Sequence, residues 1–164
     1  MRQRIIALVA GGEPAAIGGL TLGASFLANT PWYRDGLRFE CTACGDCCTG
    51  APGYVWVDDE EIAALAEVMA MEVVDFERRF VRTVDGGKSL VEHADGDCVF
   101  LDPQSRRCRI YAVRPVQCRS WPFWDSNLAS QRAWEATCRV CPGSGLGRLY
   151  SLQEIEIERK SRAL

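Results

Sequence analysis

The chain has 164 residues, 48% of them hydrophobic, with nine cysteines, one histidine and a net charge of −3. A chain this long buries enough apolar surface to fold without cross-links, so its cysteines are surplus to stability. Their odd number and the adjacency of Cys47 and Cys48 exclude a complete disulfide framework, which implies a reducing, cytoplasmic setting, and no run reaches the roughly 18 apolar residues of a membrane span.

In chain order, residues 1–30 come first. Arg2 and Arg4 precede an apolar run from Ile5, which Glu13 and Pro14 interrupt before Ala15 to Ala28 resumes it. A charge and a proline inside the would-be apolar core argue against a secretory signal. The segment reads as an unassigned extension, either without fixed structure or upstream of the true start. Residues 31–164 are expected to form a single cysteine-cluster domain. Residues 41–50 are irregular and glycine-bearing, hence a loop. Tyr54, Trp56 and the neighbouring valines predict a short strand. Asp58 caps a predicted helix over roughly 59–70, in which Ile62, Leu65 and Met69 recur at helical spacing. Val73, Phe76 and Phe80 continue that pattern as a second helix.

A β pattern follows. Val81 to Val84, the turn Asp85-Gly86-Gly87 and Ser89 to His93 predict a hairpin. Cys98 to Leu101 and Cys108 to Tyr111 predict a second one, joined by residues 102–107. Pro115 suits the first turn of a short helix carrying Cys118. Leu128 to Thr137 reads as helical, and Ser151-Leu152-Gln153-Glu154 matches a capping box opening a terminal helix with Ile155 and Ile157. The fold class is α+β: a small, irregular metal-bound domain with short β-hairpins, two packed helices after the cysteine loop and a C-terminal helix.

The strongest chemical signal is Cys41-x2-Cys44-x2-Cys47-Cys48. Two-residue gaps let a tight turn present successive sulfurs to one metal at about 2.3 Å, with backbone N–H groups directed at them. Gly45 fits the positive backbone dihedral such turns require. Neighbouring side chains diverge, so Cys47 and Cys48 are poorly placed to chelate one ion and well placed to serve two centres. Cys98, Cys108 and Cys118 arrive singly. Alone they would read as small buried hydrophobes, but beside this run they read as ligands. Cys138-x2-Cys141 could form a knuckle of its own, with Cys138 the weaker member.

Between Arg106 and Arg148 lie eight arginines and only two acids, Asp125 and Glu135. That window carries +6 and the remainder −9, which sum to the −3 of the chain. Thiolate sites carry negative charge and attract guanidinium donors, so compensation of the thiolates is the favoured reading over a polyanion-binding surface. Trp121, Phe123, Trp124 and Trp134 read as a hydrophobic shield for the centre rather than a base-stacking platform. Nucleic acid is thus disfavoured as a partner.

Taken together these residues carry a resemblance. Phe39-x-Cys41-x2-Cys44-Gly45-x-Cys47-Cys48-x-Gly50, Cys98-Val-Phe-Leu, Cys108-Arg-Ile-Tyr111-x2-Arg114-Pro115-x2-Cys118-Arg119, Trp121-Pro122-Phe123 and Cys141-Pro142-Gly143 occur in order. The chain resembles, over about residues 32–155, the YkgJ-type CxxCxxCC proteins, a bacterial group of zinc- or iron-chelating domains. The resemblance implies eight metal-binding cysteines: Cys41, Cys44, Cys47, Cys48, Cys98, Cys108, Cys118 and Cys141, with Cys138 outside the set. A similar cysteine region in flagellin lysine methylases is linked to an iron–sulfur cluster.

The favoured reading is an iron–sulfur protein that carries electrons or supports a partner enzyme. The alternative is a zinc-stabilised binding or adaptor module with structural thiolates, since zinc accepts four-thiolate sites. No catalytic constellation appears apart from the metal site, and the CxxxCxxC radical signature is missing from the sequence. His93 reads as an exposed turn residue. Asp58, Asp59, Glu60 and Glu61 suit a helix N-terminus for its dipole alone. Gly143-x-Gly145-x-Gly147 lacks the strand–turn–helix setting of a nucleotide fingerprint and reads as close backbone approach to a cluster.

Overall fold

A computed structural model describes residues 30–161, with mixed helices and small antiparallel sheets, an α+β fold. The extension read over residues 1–30 lies, but for Thr30, outside the described residues. Strand β1 (Leu37–Phe39) pairs antiparallel with β5 (Arg148–Tyr150), Leu37 opposite Tyr150 and Phe39 opposite Arg148. That pairing was not predicted, because three-residue strands have too few alternations to register in sequence. A second sheet has the order β2-β4-β3, from Trp56–Val57, Gly87–Leu90 and Val81–Val84 respectively.

Helix α1 (Asp59–Val68) opens on a full capping box: the Asp58 carboxylate accepts from the Glu61 amide at 2.8 Å, and the Asp58 amide donates to Glu61 at 3.2 Å. Glu61 also accepts from the Val116 amide at 2.6 Å, tying this helix start to α3 (Val116–Arg119), the short helix bearing Cys118. Asp59 pairs with Lys88 at 2.7 Å. Asp58, Asp59 and Glu61 are thus structural. Helix α2 (Val73–Phe80) packs on α1, burying Phe76 against Ile62 and Leu65. It runs directly into β3, and the hairpin turns at Asp85 and Gly86, both with positive φ. The strand β4 ends at Leu90, short of the predicted His93, which sits exposed in a turn.

The second predicted hairpin does not form as paired strands. Only single bridges occur, Glu92 with Cys98 and Leu101 with Cys108. The Leu101 amide donates to the Cys98 carbonyl at 2.9 Å, which curls the segment into a turn. Backbone bonds do cross between the arms, from the Asp102 amide to the Arg107 carbonyl and from the Arg109 amide to the Phe100 carbonyl, each at 2.9 Å, and in the connection Asp102 accepts from the Ser105 amide at 2.8 Å and its hydroxyl at 2.9 Å. The helix predicted over 128–137 is instead two: α4 (Asp125–Leu128) and α5 (Gln131–Val140). Ser130 separates them as an N-cap that accepts from the Ala133 amide at 3.1 Å. Helix α6 (Leu152–Ser161) begins at the expected capping box, with Ser151 and Glu154 bonded reciprocally.

Among the described residues, the buried side chains gather into three clusters. One gathers Val55, Ile62, Leu65, Phe76, Leu90, Phe100 and Ile110, with Cys48, Cys98, Cys108 and Cys118 packed among them. Another holds Tyr33, Leu37, Phe123, Leu128, Trp134 and Ile155. The smallest joins Trp121, Trp124 and Cys141 to Phe39 and Cys47. The cysteines therefore lie where the first and third clusters meet.

Candidate metal centre

The loop that carries the first four cysteines is shaped by its backbone. Ala43 (φ 54°) and Gly45 (φ 79°) lie in the left-handed region, and Asp46–Cys48 follows as a single 3-10 turn closed by the Cys48 amide on the Gly45 carbonyl at 2.9 Å. The loop is then clamped from outside. Asp46 pairs with Arg106 at 3.0 Å, and the Cys48 carbonyl accepts from the Cys98 amide at 2.8 Å. Just before Cys41, the Glu40 amide donates to the Gly143 carbonyl at 3.1 Å. A Cβ on Gly143 would strike the Glu40 carbonyl, and one on Gly147 the Glu40 side chain. Glycines 143 and 147 thus seat the segment after Cys141 against the strand leading to Cys41, rather than approaching a cluster. Gly145, with φ 84°, donates to the Arg38 carbonyl at 2.8 Å in the same seam.

These constraints bring Cys41, Cys44, Cys47, Cys48, Cys98, Cys108, Cys118 and Cys141 to the wall of one cavity of about 70 Å³. Drug-sized organic ligands occupy roughly 300–1,000 Å³. This cavity suits ions or a compact inorganic core. All nine cysteines are free thiols, and the Cys47 and Cys48 sulfurs stand 4.0 Å apart. Among the described residues no three cysteine, histidine or acidic side chains are already gathered about one point as a single ion would hold them. Rotation about Cα–Cβ moves a sulfur by a few ångström-scale steps between staggered wells, which brings thiols on a shared wall inward. The donor chemistry fits a thiophilic metal: eight soft sulfurs and no histidine on the wall.

The two vicinal thiols face different neighbours. Cys47 packs with Trp121, Trp124 and Cys141, while Cys48 packs with the core that holds Cys98, Cys108 and Cys118. Their acidities differ accordingly. Cys47 and Cys108 are lowered, chiefly because the Cys48 thiol hydrogen-bonds to them, with Arg114 helping. Cys48 is held up by Cys108, Cys47 and Cys98. Cys118 and Cys44 are raised by desolvation.

Of the eight arginines in the basic window, Arg114 and Arg119 line the cavity. Arg106, Arg109 and Arg148 instead pair with Asp46, Asp102 and Glu154. Compensation by that window is therefore divided between acids and thiols. The aromatic shield is likewise divided. Trp121 lines the cavity and donates its indole N–H to the Cys141 sulfur at 3.4 Å, and Trp124 packs edge-on against it. Phe123 and Trp134 stack on each other in the separate cluster beside α6. Cys138 is half-buried, faces that cluster and does not line the cavity.

Sequence reasoning assigned no role to Phe39 and Tyr111, which complete the wall. Tyr111 stands 43% exposed, its hydroxyl raised mainly by the Cys41 sulfur it faces, while the Arg114 guanidinium stacks 3.9 Å from its ring centroid. Only its place in the motif Cys108-Arg-Ile-Tyr111-x2-Arg114-Pro115, which carries the resemblance, marked it beforehand.

A family model described as "Putative zinc- or iron-chelating domain", CxxCxxCC, matches residues 40–142. An uncharacterized protein of Methanocaldococcus jannaschii (MJ0661) is 35% identical over 91 residues, 56% of this chain and 48% of that protein. The chain thus spans about half the length of this curated relative. No solved structure matches the chain.

Proposed function

Since this chain belongs to the CxxCxxCC family of zinc- or iron-chelating domains, we propose that its eight cavity thiols hold a polynuclear iron–sulfur centre that passes electrons to, or supports, a partner enzyme. The observation that carries this reading is the number of thiols on one small cavity. A tetrahedral ion takes four. Eight sulfurs in one cavity suit two adjoining centres, with Cys41, Cys44, Cys47 and Cys141 serving one and Cys48, Cys98, Cys108 and Cys118 the other. The vicinal pair is the seam between them. Iron–sulfur centres supply one-electron transfer, with a potential set by hydrogen bonds to the sulfurs and by solvent exclusion. Here the Trp121 indole supplies such a bond, Arg114 and Arg119 offset thiolate charge, and Phe39 with Trp121 keeps water out. The test is anaerobic purification followed by visible absorption with iron, zinc and sulfide counts. A brown protein with acid-labile sulfide supports the reading, and a colourless one retaining zinc refutes it.

The zinc reading has one specific support. Four thiolates at 2.3 Å around an ion stand about 3.8 Å apart, close to the 4.0 Å between Cys47 and Cys48. A structural zinc adaptor is therefore the second reading, and the same counts decide between the two.

Trp121→Phe is expected to weaken metal retention by about tenfold, as loss of a ligand's hydrogen-bond partner does. A chelator-competition titration measures it. In an iron–sulfur protein the same variant should also have a lower reduction potential, because the reduced, more negative core loses a donor. Metal loading must displace the protons that Cys48, Cys118 and Cys44 hold above the ordinary thiol range. Bound metal is accordingly favoured as pH rises and released as pH falls. Apparent affinity is expected to change by about tenfold per pH unit for each proton displaced. A chelator titration between neutral and mildly acidic pH reads the slope, and a flat profile would mean these thiols are not ligands.

A further inference from the structure

A second cavity, of about 500 Å³, shares no lining residue with the thiol cavity. Residues 98–109 divide the two. Cys98 and Cys108 face the thiols, whereas Val99, Phe100, Leu101 and Arg109 line the larger space. The partition keeps its shape through the bridge between Leu101 and Cys108 and the bond from the Arg109 amide to the Phe100 carbonyl at 2.9 Å. Met69, at the end of α1, and Arg79 with Phe80, at the end of α2, supply the facing wall. His93 stands at the rim. Its amide donates to the Asp97 carbonyl at 2.8 Å, and its carbonyl accepts from the Gly96 amide at 2.9 Å.

This cavity is apolar at its base and cationic at its mouth. Phe100 and Leu101 are 1% and 5% exposed, and the Phe80 ring packs on Phe100 with centroids 5.1 Å apart. Arg79, His93 and Arg109 are exposed. The two guanidinium groups differ in their partners. Arg109 is paired with Asp102 at 3.1 Å. The acids beside Arg79 are engaged elsewhere, Asp75 with Arg78 and Glu77 with Lys88. Arg79 lies 5.1 Å from the Phe80 ring centroid and has no carboxylate partner among the described residues. No acidic side chain lines the cavity. The volume is that of a site for a whole organic molecule. Its base stabilises apolar surface withdrawn from water, and a guanidinium at the mouth matches a carboxylate in shape and charge. We propose that this cavity binds a small organic carboxylate, its apolar body against Phe80, Phe100 and Leu101 and its carboxylate on Arg79. The site stands whichever metal the thiols hold.

The test is isothermal titration calorimetry of the full chain, purified anaerobically, with 2-naphthoate and with decanoate, each run beside its uncharged amide. At least one carboxylate is expected to bind at one site per chain, about tenfold tighter than its amide, as a charged hydrogen-bond partner contributes. Which of them binds tells a flat ring body from a flexible chain. Arg79→Gln should weaken that binding about tenfold, whereas Arg78→Gln, its exposed neighbour off the cavity wall, should leave it unchanged. Met69→Trp, which adds bulk to the facing wall, should abolish it. Metal counted in the same samples should stay at the parent value in Arg79→Gln, because the two cavities share no lining residue. Failure of both carboxylates to bind, amides that bind as well as the acids, equal effects of Arg79→Gln and Arg78→Gln, or full binding in Met69→Trp would each overturn the proposal. A parent chain that retains no metal yet binds a carboxylate would sink the metal reading and leave this one standing.

Discussion

Cys48→Ser is expected to remove about half or more of the bound metal, while Cys138→Ser leaves the content unchanged. Cys48 sits at the seam: its sulfur is 4.0 Å from that of Cys47, and its thiol is held up by Cys108, Cys47 and Cys98. Serine preserves the size of the side chain, and the bond from the Cys98 amide to the Cys48 carbonyl does not involve the side chain. The fold should therefore survive while the donor is lost. A hydroxyl is a far poorer ligand than a thiolate for a soft metal, so the centre that Cys48 serves with Cys98, Cys108 and Cys118 is weakened. Cys138 has a raised thiol, held up mainly by desolvation, and lies off the cavity wall. It provides the control that separates ligand loss from general damage. Metal analysis of the two variants beside the parent chain reads the result, and equal losses in both would count against the ligand set.

Gly45→Ala should be the most damaging change that touches no cysteine. The residue has φ 79°, a conformation that alanine adopts at a cost of roughly 1–2 kcal/mol. An added Cβ would also run into the Arg106 carbonyl and stand 2.8 Å from Leu101 Cδ1. Overpacking of this kind typically costs about 1–3 kcal/mol. Together these give about 3 kcal/mol, or a fall in Tm of about 10 °C for a chain of this size. The Arg106 carbonyl belongs to the turn bonded to Asp102, so relief requires moving either that turn or the cysteine loop. Movement of the loop carries Cys44 and Cys47 away from Cys108. Thermal melts with and without chelator should therefore show a drop in both conditions, larger where metal is present.

The parts of this molecule that were legible in sequence are those specified by local chemistry. Asp58 and Glu61, three residues apart, make a capping box wherever a helix follows, and Ser151 with Glu154 repeats it. Asp85-Gly86 permits the positive φ values of a tight hairpin turn. What escaped was decided by tertiary contact. Strands β1 and β5 are three residues each and are joined across more than a hundred positions, so no periodicity could reveal them. Cys98 to Tyr111 alternates like a hairpin, but a tight turn from Cys98 to Leu101 shortens the pairing to a single bridge, Leu101 with Cys108. At the site, the spacing Cys41-x2-Cys44-x2-Cys47-Cys48 made the loop recognisable. The gathering of Cys98, Cys108, Cys118 and Cys141 opposite it depends on long-range bonds such as Cys98 to Cys48 and Glu40 to Gly143. Aromatic composition was a poor guide to place, because Phe123 and Trp134 face the α6 cluster although Trp121 and Trp124, from the same run, face the thiols.

The most direct measurement is the number of metal atoms bound per folded chain, obtained by elemental analysis against quantitative amino-acid analysis after anaerobic purification. Two centres meeting at Cys47 and Cys48 require more than one atom per chain. A count of a single atom per chain would contradict it and leave half of the cavity sulfurs without the role assigned to them.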